Sequence, residues 1–301
     1  MTRTLRLGLC CGFAEAPIKY RTTTARYAGG LAAAARRAFL LEIVTHNAAA
    51  LGASVDWCIA HGVGAFRVNS DLLPLATHAS LGYELADLDT GGRATALLDG
   101  AGRRARRGGV RLSFHPDQFV VPGSIRDEVV RSSLGELEAQ TRLALVVGAE
   151  QITIHGGGAQ GGKPAALERL ARALARLSAP ARERVVLEND DRVYTVEDLL
   201  PICRREGLAL VYDVHHHRCN PDELSVEDAT DACASTWGRR EPWAHISSPI
   251  GGWTKARDPR PHADHIAASD LPRAWRGRRM TVDVEAKAKE LAVLRLARHL
   301  G

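Results

Sequence analysis

The sequence predicts a (β/α)8 barrel that carries its chemistry at the carboxyl ends of its strands, and three observations support this. Short apolar runs at 110–114, 151–154, 184–187, 208–212, 243–244 and 280–284 end on His115, His155, Glu188, Asp213, His245 and Glu285. Such runs, bounded by turn residues, are the pattern of strands buried in a parallel sheet. In a closed parallel barrel the reactive groups come from the ends of several strands and meet on one face. The runs also alternate with helix-like segments, which is the order of βα units. The length of 301 residues suits one such domain over 1–301, with no linker, repeat or low-complexity segment in it.

Taken in order, residues 5–9 read as the first strand, followed by a long connection with Lys19, Arg21 and Arg26 that suggests no particular element. Residues 32–61 are helical in composition, as two segments meeting near Thr45, His46 and Asn47. Residues 65–69 form the second strand, and the loop after it holds Pro74 and His78. A helix over 94–107 is ended by Gly108 and Gly109, and an amphipathic helix over 127–147 by Gly148. Gly156, Gly157 and Gly158 after the fourth strand read as a tight turn; a phosphate cradle is the weaker alternative. A helix follows over 164–177, and Thr195 with Asp198 and Ser225 with Asp228 open the next two in the manner of capping boxes. A long loop runs to about residue 269, and the tail is helical.

Composition narrows the setting. The net charge of +5 is compatible with a polyanionic partner. No apolar run approaches the ~20 residues of a membrane helix, and the N-terminus lacks the apolar core of a signal peptide, so no membrane is expected. Cys10, Cys11, Cys58, Cys203, Cys219 and Cys233 contain no C-x-x-C pair, which argues for free, mostly buried thiols in a reducing cytosol. The stretch 209–221, ALVYDVHHHRCNP, places Asp213 at a strand end and His215, His216 and His217 on the loop leaving it. A carboxylate and neutral imidazoles converging there can hold a divalent metal; a polar loop facing water is the alternative.

The ordered set FRVNSDLLPLATH (66–78), SFHPDQF (113–119), IHGGG (154–158), LENDD (187–191), DVHHHRCNP (213–221), HISS (245–248), RPHAD (260–264) and VEAKAKE (284–290) resembles the UV damage endonuclease family over nearly the whole chain. That family is related to the endonuclease-IV-type barrels. Its members nick DNA immediately 5′ of UV photoproducts, using up to three divalent metals, commonly manganese. The resemblance implies metal ligands at His78, His115, His155, Glu188, Asp213, His216, His245, His262 and Glu285, holding two or three ions of manganese, with zinc or magnesium as alternatives. Glu188 would bridge; Asp213, His245 and Glu285 would complete one site, His115 and His155 with His78 a second, and His216 and His262 with Asp264 a third. Glu188, Glu285 and Lys287 would be catalytic. The metals would activate water and neutralise the phosphate, with Lys287 and Lys289 beside it. Gln118 and Phe119 stand where the resemblance places a Gln-Tyr wedge that probes the duplex, so Lys289, Gln118 and Phe119 are the expected DNA contacts. Leu9 and Trp243 are further departures, standing where the family often has an aromatic residue and a lysine. The implied partner is damaged double-stranded DNA, met by a monomer in the cytoplasm at the nucleoid. Rival readings are an apurinic-site endonuclease, a metal-dependent sugar isomerase or epimerase, and a damaged-DNA-binding barrel without catalysis, which fold alone does not separate.

Overall fold

A computed structural model describes residues 5–300. Eight strands close into a parallel barrel in sequence order. They are β1 (Leu5–Cys10), β2 (Ala65–Arg67), β3 (Arg111–Phe114), β4 (Gln151–His155), β5 (Val185–Glu188), β6 (Leu210–Asp213), β7 (Trp243–Ile246) and β8 (Met280–Val284). The helices are α1 (Ala25–Gly29), α2 (Ala33–Ala60), α3 (Leu85–Leu88), α4 (Arg93–Gly108), α5 (Asp127–Val147), α6 (Lys163–Leu174), α7 (Ala179–Arg184), α8 (Val196–Glu206), α9 (Val214–Cys219), α10 (Val226–Ser235) and α11 (Glu290–His299). The expected (β/α)8 architecture is therefore the one found, and β1 closes against β8 with Leu5 beside Met280 and Leu9 beside Val284.

Local chemistry sets the boundaries. The Thr195 hydroxyl accepts from the Asp198 N–H while the Asp198 carboxylate accepts from the Thr195 N–H, a complete capping box at the start of α8. At the end of α5, Gly148 takes a left-handed φ of 72°, where a side chain would be strained. Two helix expectations differ. Residues 32–61 form one unbroken helix, α2, rather than two. Of the three residues at the expected junction, Asn47 is fully buried and serves the segments packed against the helix. Its amide accepts from the Arg21 N–H at 2.8 Å and donates to the Arg21 and Leu72 carbonyls at 2.9 and 3.2 Å, which pins the long connection after β1. The helix expected over 164–177 is α6, which stops at Leu174, and a further short helix that was not expected, α7, follows it, with Pro180 in its first turn. By length and composition α2 is also long and apolar enough to cross a membrane. In this fold it buries residues such as Leu40, Ile43, Leu51 and Val55.

Side chains alternate along each strand, and this layers the barrel interior. At the base, the Glu241 carboxylate accepts from Arg6 at 3.0 Å and from the Thr281 hydroxyl at 2.8 Å, with Arg111 3.5 Å away. Above it lies an apolar layer that includes Ala65, Val186, Val211 and Trp243, and the Arg111 guanidinium covers the Trp243 ring at 4.2 Å. Two residues further along the same strands come Arg67, Glu188, Asp213 and His245, which face the mouth. Trp243 therefore fills the space beneath the site rather than entering it.

The base generates a prediction. Burial pushes the Glu241 carboxyl up, but hydrogen bonds from Arg6 and Thr281 and the Arg111 charge outweigh it and hold the group at about 2. Because this folded value lies below the ~4.3 of an unfolded chain, its stabilisation is complete above ~4.3 and is lost as pH falls towards about 2. Glu241→Gln is expected to cost about 2 kcal/mol at neutral pH, the worth of hydrogen bonds to a charged group. It should also flatten the acid-side loss of stability in urea unfolding curves; an unchanged slope between pH 4.3 and 2 counts against this role.

Candidate metal centre

Glu188, the last residue of β5, is fully buried, and imidazoles from four other elements surround it. Its Oε2 lies 2.8 Å from His115 Nε2 and 3.9 Å from His155 Nε2. Its Oε1 lies 2.8 Å from His245 Nδ1 and 3.4 Å from His216 Nδ1. The strand register explains the convergence, since His155 pairs with Glu188 across β4 and β5, and Asp213 with His245 across β6 and β7. Glu285, just past β8, brings Oε1 to 3.3 Å from His245 Nδ1 and Oε2 to 3.7 Å from His262 Nδ1.

Asp213 does two things. It ends β6, and its Oδ1 accepts from the His216 N–H at 2.7 Å, capping α9. The three histidines expected on a loop are therefore in that short helix, because the strand-end acid supplies a helix cap. The cap turns the His216 ring back over the site, with Nδ1 3.6 Å from Asp213 Oδ2. His215 is buried beside the His262 ring at 5.1 Å, while His217 is buried between Tyr212 and Asp222 at 2.6 and 3.0 Å.

Two groups of side chains offer ligand atoms within 4.8 Å of one another, His115–His155–Glu188 and Glu188–Asp213–His245–Glu285. Glu188 belongs to both. Burial pushes the Glu188 carboxyl up, but the neighbouring His245 and His155 imidazoles and hydrogen bonds from His115 and His216 hold it well below its ordinary value. Burial likewise raises Glu285, and the Arg67 charge and the neighbouring His245 imidazole outweigh it downward. The His155 imidazole is pulled down by burial, against Glu188. Both carboxylates are thus ionised and ready to take a cation. Asp213 Oδ2 is buried without a hydrogen-bond partner, a costly state for a carboxylate oxygen that a cation in the second group would relieve. Carboxylate and imidazole donors of this kind suit zinc, manganese or a similar divalent ion, so the residues fit a metal.

The remaining expected residues lie as follows. His78 is in the loop after β2, where its Nδ1 accepts from the Ser80 N–H at 3.3 Å; it stands in neither group. His216 and His262 approach ring to ring at 6.5 Å, while Asp264 is exposed. Lys287 is exposed and Lys289 half-buried, in the turn before α11. Gln118 and Phe119 sit on the loop that begins with His115, and the Phe119 ring is 76% exposed. All six cysteines are free. Three site residues were missed. Asn189 bonds the backbone of Asp213 from both sides at 2.9 Å, and Arg67 and Asp283 lie beneath His245. The available signal for the last two was a charge in an apolar strand, Arg67 at the end of β2 and Asp283 in β8, two residues before Glu285.

Fold and donor set together define a (β/α)8 barrel of the kind that carries chemistry at its strand ends. Within that class, the family model described as UV-endonuclease UvdE matches residues 5–301, and the chain belongs to this family of enzymes. A UV DNA damage endonuclease from Deinococcus radiodurans is 35% identical over 309 residues, covering 97% of this chain and 94% of the relative. A UV-damage endonuclease from Neurospora crassa is 36% identical over 278 residues, 86% of this chain but only 41% of that longer protein. The crystal structure of SacUVDE superposes with a TM-score of 0.86 at 27% identity, covering 98% of each chain.

Because Glu188 is common to both groups, Glu188→Gln is expected to weaken metal binding at both together. The loss should exceed the roughly 10–100-fold that removal of a merely supporting residue causes. His115→Ala should weaken one group only. Titration of chelator-stripped protein with manganese, read as stoichiometry and affinity, makes the comparison; Glu188→Gln binding like the unaltered protein contradicts the shared role.

Proposed function

We propose that the protein is a metal-dependent endonuclease that cuts duplex DNA immediately 5′ to UV photoproducts by hydrolysing the phosphodiester. The observation that carries this reading is the division of the Glu188 carboxylate, with Oε2 facing His115 and His155 and Oε1 facing His245 and His216. One fixed anion can thereby hold two cations close together, the arrangement suited to an in-line displacement at phosphorus. Two or three divalent ions, manganese first, would be held by His115, His155, Glu188, Asp213, His216, His245, His262 and Glu285, with His78 brought in from its loop. Bound there, such ions would supply Lewis acidity and lower the pKa of water.

The chain's own groups do the rest. Glu188 and Glu285 hold negative charge at fixed depth beneath the phosphate. The exposed Lys287 meets the phosphate as a point charge, and Lys289 does so from the rim. Gln118 and Phe119 probe the duplex, since the loop that carries His115 also carries them and an exposed ring is free to stack on an unpaired base. The net charge of +5 favours a polyanion. The protein would work as a monomer in the cytoplasm, at the nucleoid.

An end-labelled duplex with one defined photoproduct, incubated with manganese and with chelator, tests the activity: a nick on the 5′ side of the lesion in manganese alone is expected, and an intact strand in both refutes it. Phe119→Ala tests recognition separately. Stacking is worth roughly 1–3 kcal/mol per base, so cleavage of damaged duplex should fall by about ten- to a hundredfold with metal content unchanged, while Phe119→Tyr is tolerated. Equal effects on damaged and undamaged duplex would remove Phe119 as a lesion probe.

A further inference from the structure

Directly beneath the second donor group lies a buried pair of opposite charge. Arg67, the last residue of β2, is 7% exposed. Its guanidinium reaches three partners: Nη1 is 2.7 Å from Glu285 Oε1, Nη2 is 3.1 Å from Asp283 Oδ2, and Nη2 is also 2.8 Å from His245 Nε2. Asp283, in mid-β8 and level with His245 across the β7–β8 ladder, is fully buried, and its Oδ1 has no hydrogen-bond partner. A side chain at Gly8 would crowd it, since a Cβ there would stand 2.1 Å from Asp283 Oδ1. A buried charge is costly unless paired, so an aspartate held this tightly in an apolar strand calls for an explanation.

The two ring nitrogens of His245 supply one. Nδ1 faces the carboxylates of the donor group, 2.8 Å from Glu188 and 3.3 Å from Glu285. Nε2 faces Arg67 and, at 3.8 Å, Asp283 Oδ2. A guanidinium only donates, so in this geometry Nε2 accepts from Arg67 and the ring hydrogen sits on Nδ1, donated to Glu188. A cation in this group would need the Nδ1 lone pair. The hydrogen must then be on Nε2, where Arg67 cannot accept it and Asp283 can. We propose that Asp283, with Arg67, is a positioning pair that selects the His245 tautomer able to bind a divalent cation: Asp283 accepts the Nε2 hydrogen, and Arg67 is left to hold Asp283 and Glu285. One hydrogen changes nitrogen and the ring's proton count stays the same. A ligating histidine that donates its other N–H to a carboxylate has a fixed orientation and a more basic donor nitrogen.

This inference rests on the metal-centre reading, and the test separates the two. The full chain, labelled with 15N in histidine and loaded with zinc as a diamagnetic probe, is examined by long-range proton–nitrogen correlation. The His245 hydrogen is expected on Nε2, with Nδ1 shifted by the metal. Zinc bound with the hydrogen still on Nδ1 overturns the inference alone; no zinc bound at all overturns the metal centre and the inference with it. Chelator competition with manganese adds a second readout. Asp283→Ala should lower affinity by about 10–100-fold, and Asp283→Asn, which keeps the volume and an acceptor oxygen but not the charge, by less. If Asp283→Ala does not fold, Asp283→Asn and the unaltered protein carry the test. Affinity unchanged in the folded variants, with thermal stability lowered equally with and without metal, would make the pair merely structural and overturn the proposal.

Discussion

The structure depends on one buried negative charge. Glu188 sits at the end of a strand with no exposure to solvent, where an unpaired carboxylate would cost several kcal/mol. Imidazoles from β4, β7, α9 and the segment after β3 answer it. Each comes from a different βα unit, so the barrel must close in the right register before the charge is satisfied. Electrostatic need and topology thus select the same arrangement.

The features legible in the sequence were those that break a pattern locally. A short apolar run that stops on a histidine or acid shows itself within five residues, which is why the ends of β3 to β8 could be read directly. What escaped depends on partners far along the chain. Arg67 and Asp283 each look like a single charge in an apolar strand; only pairing across the closed barrel shows that they face one another and His245. Asn47 was misread because a polar triplet inside a long helix suggests a break, whereas the amide serves the backbone of two distant segments. The helix after β6 was missed because Asp213 was credited with one role, and it also caps.

The same loop carries His115 and Phe119, four residues apart. His115 touches Glu188, so the exposed ring and the charged centre are joined by one short stretch of chain.

The layering of the interior has a consequence of its own. The ionic cluster at the base, around Glu241, and the one at the mouth, around Glu188, are separated by a septum that includes Ala65, Val186, Val211 and Trp243. The septum keeps the two clusters out of contact with one another, and the Arg111 guanidinium, 4.2 Å from the Trp243 ring, covers it from below. Each end can therefore be retuned on its own: surface charge and acid tolerance can drift at the base across evolution, or be redesigned there, while the mouth keeps its chemistry.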